Sequence, residues 1–131
     1  MSKYANCIMN PSELPTWQPT DESRCVTPLI NSDTCGSEAM ATGLWRLYPG
    51  QKSAPDIHPN ADELYYVVAG RGRVVMEHEE YEVRQGMTVF IPANVTHQSF
   101  NIGDDELVYY YVFSPPPGGL SHPDGWVAKS S

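Results

Sequence analysis

Two histidines and two carboxylates, His58, His97, Asp56 and Glu63, are the residues of this chain best suited to do chemistry. Imidazole nitrogens and carboxylate oxygens are the ligands of borderline and hard dications. They fall in two short segments. One runs Gly50, Asp56, His58, Glu63, Gly70, and the other Gly86, Pro92, His97, Asn101, at spacings that suit strands and turns. In a strand, residues i and i+2 share a face. Asp56 and His58 are therefore expected to point one way, and Glu63, Tyr65 and Val67 to share a face on the next strand. The turn between them is Pro59-Asn60-Ala61-Asp62, and His97 and Ser99 share a face after a second turn at Pro92-Ala93-Asn94. Three strands so placed aim all four groups into one interior. Inward charges are costly unless paired or bound to metal. A metal site is the leading expectation.

Such a site needs a frame. Residues 64–68, 73–76, 88–91 and 107–113 are rich in β-branched and aromatic side chains, and Gly70, Gly72, Gly86, Asn94 and Gly103 punctuate them. No window from 38 to 113 holds a helical apolar spacing over three turns. Short strands at intervals of about 8–12 residues predict an all-β sandwich or barrel. Residues 25–30 and 38–48 each read as a strand, joined by a turn over 31–36. The first 24 residues, with Pro11, Pro15 and Pro19, read as an irregular arm. The proline-rich run from Ser114 to Gly119 ends the sheet, since proline cannot donate to a ladder. The tail beyond it, with His122 and Trp126, is expected to pack along the outside. His78 reads as a surface turn residue, and His122 as structural or mobile.

A chain of 131 residues is expected to be a single domain, residues 1–131, with its core over about 38–113. The formal net charge of -8 excludes a phosphate-binding surface for nucleic acid and disfavours an anionic membrane. No stretch approaches the ~20 apolar residues of a membrane span, and the first residues carry no apolar signal sequence. Cys7, Cys25 and Cys35 show no Cys-x-x-Cys spacing and are expected to be free thiols in a cytoplasmic setting.

At the two segments the chain resembles the cupin family. Gly50, Asp56, His58, Glu63 and Gly70 keep every spacing of its first motif, and Gly86, Pro92, Asn94, His97 and Asn101 keep every spacing of its second. The resemblance spans about residues 40–113. It implies a small antiparallel β-barrel or jelly roll with a metal between the motifs, and His58, Glu63 and His97 as ligands. Asn94 stands where the family has glycine, and asparagine tolerates left-handed backbone. Asp56 stands where the family usually has its first histidine, which leaves it open as fourth ligand, as general base or as a structural group. Two imidazoles and one carboxylate are the minimum set for non-haem iron. A second carboxylate favours Fe(II) or Mn(II), with Zn(II) or Ni(II) still accepted.

Arg46 and Tyr48 share a strand face just before Gly50. If that face is inward, Arg46 can clamp a substrate carboxylate or phosphate. Tyr65, beside Glu63, can offer its hydroxyl to a substrate oxygen, and Ser99 shares the face of His97. Of Tyr109, Tyr110 and Tyr111, at least one must face inward. A metal acting as Lewis acid, with Asp56, Glu63 or Tyr65 moving a proton, suits isomerisation or elimination on a small oxygenated molecule. A non-haem Fe(II) dioxygenase is the second expectation, and a metal-free or non-catalytic small-molecule-binding barrel the third. Single-domain members of the family are often dimers, which implies a homodimer here.

Overall fold

Alternation along the strands resolves into two antiparallel sheets. The computed structural model describes residues 3–118 and 122–130. The strands are β1 (Trp17–Gln18), β2 (Arg24–Pro28), β3 (Ala41–Leu47), β4 (Asp62–Ala69) and β5 (Arg71–Met76). They continue with β6 (Glu79–Arg84), β7 (Thr88–Ile91), β8 (His97–Asn101), β9 (Leu107–Ser114) and β10 (Val127–Ala128). Seven strands pair in the order β10-β1-β2-β3-β9-β4-β7, and three in the order β6-β5-β8. The architecture is all-β and jelly-roll-like, as the sequence predicts.

The alternation is clearest in β4. Glu63, Tyr65 and Val67 are buried, while Asp62, Tyr66 and Val68 are exposed. In β8 the inward residues are His97, Ser99 and Asn101, which face Met76, Val74 and Gly72 across the ladder with β5. The two inner faces meet over Leu47, Val67, Leu107 and Tyr109 from the large sheet and Val74 and Val83 from the small one. Leu47, Val67 and Leu107 are wholly excluded from solvent, and each such side chain contributes roughly 1.5–3 kcal/mol.

Three expectations are corrected. The strand expected at 56–58 is an irregular segment, because Pro55 and Pro59 cannot donate to a ladder; it holds only isolated bridges, Lys52 to Phe100 and Asp56 to His97. The arm is irregular only to Thr16, where β1 begins and pairs with β2. The tail runs along the exposed edge of the large sheet, but as a paired strand. Its β10 pairs with β1, whose edge would otherwise leave backbone groups unpartnered, and Trp126 packs against the core. The turn over 31–36 tightens into one helical turn, Ser32–Cys35. The Asn31 side chain accepts from the Asp33 and Thr34 amides, and left-handed Gly36 closes the turn.

Gly70 carries the chain from β4 in the large sheet to β5 in the small one. Its φ is 90°, and an added Cβ would overlap the Glu106 carbonyl oxygen and sit 2.9 Å from the Leu107 Cα. Both obstacles are backbone and cannot rotate away. Gly70→Ala is therefore expected to cost more than about 2 kcal/mol of unfolding free energy in a urea titration. A change under half of that would show that the bend can open freely.

Candidate metal centre

The four groups singled out in the sequence come together between the sheets, near one end of the core. Glu63 is the centre of the cluster. Its Oε1 lies 3.2 Å from His97 Nε2 and 3.7 Å from His58 Nε2, and it accepts a 3.4 Å hydrogen bond from the Tyr65 hydroxyl. Asp56 Oδ2 lies 3.5 Å from His58 Nε2. One donor atom from each of Asp56, His58 and His97 falls within 4.8 Å of the others. Two donors each about 2.1 Å from one ion lie about 3.0–3.4 Å apart, by simple geometry from ordinary ligand distances. The spacings of this cluster, 3.2 to 3.7 Å, lie at or slightly above that range, so small side-chain shifts would bring the donors onto a dication.

Each side chain is fixed by its own element. Glu63 and Tyr65 project inward from β4. His97 starts β8, and its backbone exchanges two hydrogen bonds with Asp56, 2.8 and 2.9 Å long. The segment that carries Asp56 and His58 is zipped to β8 without being a strand. Ser53 donates to the Ser99 carbonyl at 2.9 Å, and Asn94 donates to the His58 carbonyl at 2.9 Å. Asn94 adopts a φ of 69°, the left-handed turn expected of it. The His58 ring rests edge-on against Phe113, with centroids 4.7 Å apart.

His97 Nδ1 lies 3.0 Å from the Val95 carbonyl oxygen. A carbonyl only accepts, so Nδ1 carries the proton and Nε2 faces Glu63. Burial is the largest single influence on this imidazole and pushes its pKa down. The Glu63 bond, the Val95 carbonyl and the charges of Glu63 and Asp56 outweigh it and leave the pKa raised. The raised pKa favours a proton on Nε2, where it faces the buried carboxylate. A dication can take that proton's place while Nδ1 keeps its own, which is how metal binding couples to protons.

Tyr65 is held as a neutral phenol. Burial raises its pKa well above the usual value, and the Glu63 charge, Tyr109, Asp56 and the bond to Glu63 act in the same direction. Its proton is donated to Glu63, which orients the carboxylate. The next ring along, Tyr109, stacks on Tyr65 at 4.3 Å and on Trp45 at 5.0 Å. Burial, with the Glu63 charge, pushes Tyr109 up to about 12 against the lowering bond to Ser99. Tyr109 and Tyr111 face inward, whereas Tyr110 points outward to a 3.0 Å bond with Thr42.

The expectation of two inward carboxylates is corrected by burial. Glu63 is inward and shielded, with 7% of its side chain exposed, but Asp56 sits at the rim with 63% exposed. Asp56 is shorter than the family's histidine and is anchored by the Ile57 amide at 2.9 Å. Beyond the cluster opens a cavity of about 900 Å³, reached by Ser99, Tyr111 and Phe113 as well as the four polar groups. Arg46 and Tyr48 do not line it. Arg46 pairs with Cys25, on the opposite face of the sheet, and the Tyr48 hydroxyl lies 3.5 Å from the Cys25 sulfur. The inward positions of this ladder are Arg24 opposite Leu47 and Val26 opposite Trp45. Arg24 lines the cavity and was not among the expected residues. His122 and Trp126 also line it, against the expectation for the tail. Cys7, Cys25 and Cys35 are free.

The cupin-domain family model matches residues 43–113. The chain belongs to the cupin family. Polyketide synthase CurC of Streptomyces cyaneus is 32% identical over 98 residues, which is 73% of this chain but 64% of CurC. Protein SchB of Streptomyces halstedii is 31% identical over 101 residues, 76% of this chain and 73% of SchB. In three dimensions TT1209 from Thermus thermophilus aligns with a TM-score of 0.67 at 27% identity, over 82% of this chain and 96% of that one. More distant relatives carry the names putative glucose-6-phosphate isomerase and oxalate decarboxylase. As a cupin, this chain presents a site at Asp56, His58 and His97 that can hold a metal, with Glu63 between the imidazoles.

Loss of an outer partner typically costs about 10–100-fold in metal affinity. Tyr65→Phe is expected to fall within that range, because it removes only the donor to Glu63. His97→Ala removes a donor of the candidate site and Glu63→Gln the charge between its imidazoles, and both are expected to exceed it. Manganese and zinc content after dialysis, by elemental analysis, separates these cases; equal metal in all three variants would place the ion elsewhere.

Proposed function

We propose that this cupin is a metal-dependent enzyme of the isomerase or lyase type that acts on a small, oxygen-rich molecule through an enolate-like step. The observation that carries the reading is the cluster itself, two imidazoles and two carboxylates at ligand spacing beside an aromatic cavity. His58, Glu63 and His97 hold the ion, and two carboxylates near it favour Fe(II) or Mn(II) over Zn(II) or Ni(II). When bound, the metal supplies a Lewis acid for a carbonyl or hydroxyl oxygen of the substrate.

The rest of the chemistry belongs to side chains. Asp56, exposed at the rim, can reach a substrate carbon that Glu63 cannot, and it takes the proton next to the carbonyl. Tyr65 keeps Glu63 oriented by donating to it. Ser99 offers a hydroxyl on the same wall as His97. Tyr65, Tyr111 and Phe113 give the cavity flat apolar walls, which suits a planar conjugated molecule. That CurC is named a polyketide synthase supports a substrate with several oxygens along a carbon skeleton.

We also propose that the protein is a homodimer. Leu64, Tyr66, Phe90, Tyr110 and Val112 adjoin through the ladders on the outer face of the large sheet, with Phe90 57% exposed. The set carries no charge, so it lets two copies of net charge -8 approach where repulsion is least. Phe90→Glu is expected to turn a dimer into a monomer in sedimentation velocity. A native protein that sediments as a monomer overturns the proposal.

The chemical test uses ortho-hydroxyacetophenone, a flat chelating ketone, in deuterated water. The manganese-loaded protein is expected to speed deuterium entry into its methyl group, followed by proton NMR, with no uptake of dissolved oxygen. Compared at equal metal content, Asp56→Asn is expected to lose about a hundredfold or more of the rate. Full rate in Asp56→Asn removes the base; oxygen uptake with turnover replaces the reading with an oxygenase.

A further inference from the structure

Among the described residues, Arg24 is the only lysine or arginine that lines the cavity. It enters from β2, on the inward face that Val26 shares. Its Nη1 donates to Ser23 Oγ at 2.8 Å, and no carboxylate among the described residues lies within ion-pair distance of it. A guanidinium has five N–H donors, and the bond to Ser23 engages one of them at the border of the cavity. The plane is held from the other side by the tail, where Arg24 lies over the Trp126 ring, 5.2 Å from its centroid. The same stretch of tail brings His122 onto Trp17, with rings 3.8 Å apart, and the pairing of β10 with β1 ties it down. The tail therefore builds a wall that presents an aimed and unpaired cation.

We propose that Arg24, backed by Trp126, is the specificity subsite of this cupin and binds a carboxylate of the substrate. This rests on the proposed function for the chelating end of the same molecule and names its other end. The charge around the cavity decides between carboxylate and phosphate. Asp56, Glu63 and Asp124 all border the cavity. A dication at the cluster offsets the first two, which leaves one guanidinium against Asp124. That sum is zero, so a bound monoanion leaves one charge uncompensated and a phosphate dianion leaves two, which favours the carboxylate. The planar two-oxygen form of a carboxylate also fits the guanidinium fork in bidentate fashion. The substrate class is thus a small aromatic or conjugated acid with chelating oxygens at the end remote from its carboxylate.

The test uses three probes of one shape, β-naphthoate, β-naphthamide and β-naphthyl phosphate, titrated calorimetrically into the full chain. Each titration is run with manganese bound and after treatment with EDTA. The naphthoate is expected to bind more tightly than the amide and the phosphate in the native protein. Arg24→Gln is expected to weaken naphthoate by about tenfold to a hundredfold, the range for hydrogen bonds to a charged group, and to leave the amide unchanged. Arg24→Lys keeps the charge but loses the fork, and is expected to fall between them. Melting temperature and metal content, measured on the same samples, are expected to be unchanged, which separates loss of the subsite from loss of the fold or the ion. Equal binding of naphthoate and amide, or naphthoate affinity untouched in Arg24→Gln, overturns the proposal. Tighter binding of the phosphate overturns the choice of carboxylate. If no manganese binds but naphthoate still depends on Arg24, the subsite stands and the metal reading falls.

Discussion

A carboxylate shielded from water between two imidazoles is the constraint on which the rest of this structure depends. Glu63 has 6% of its surface exposed, and an ion so placed is stable only with compensating charge and hydrogen bonds. The protein supplies both from separate elements. His97 comes from the small sheet, His58 from the segment zipped along it, and the Tyr65 hydroxyl from the same strand as Glu63. The geometry closes only if β4 and β8 face each other across the interior. The jelly-roll-like division into two sheets, and the bend at Gly70 that separates them, follow from that requirement as much as from apolar burial. The aromatic stack of Trp45, Tyr109 and Tyr65 then walls the polar cluster off on its inner side, so charge faces the cavity alone.

The replacement of a histidine by Asp56 has a specific physical consequence. A histidine at the rim would be a long neutral ligand that reaches the ion from solvent. Aspartate is shorter and charged, and the Ile57 amide takes one of its oxygens. The remaining oxygen stays near His58 but is open to water. The site thereby gains a second negative charge, which favours harder ions, and a proton acceptor at the place where a substrate enters.

Much of the site was legible from spacing, and the part that was not has a common cause. His58, Glu63, Tyr65, His97 and Ser99 lie on or beside strands whose alternation is local, so their convergence could be read from the sequence. Asp56 was read as inward because a period of two was carried through Pro55 and Pro59, where no ladder forms. Arg46 stands out in the sequence because it lies near Gly50, and Arg24 does not, while the face of each depends on register. That register is set between β2 and β3, by pairs such as Val26 with Trp45, and no local pattern reports it. Trp126 and His122 were set aside for the same reason. Only the pairing of β10 with β1, at opposite ends of the chain, brings them to the cavity.

These long-range pairings give the cavity its direction. The ion-binding cluster is built by the two motifs and lies on strands that pack the core, so it can vary little without loss of the fold. The opposite wall is built from β2, whose Val26 belongs to the core, and from the tail, which pairs at the edge of the large sheet. A rigid chelating end fixes where the reaction occurs. The more peripheral wall, with a cation and indole rings, fixes how far a bound molecule extends and what charge it carries at its far end. Changes in that wall can alter which molecule is accepted without disturbing Glu63 or its imidazoles. In this protein the candidate metal cluster is therefore set by the buried carboxylate and the strands that carry it, while the other wall of the cavity depends on pairings between distant parts of the chain.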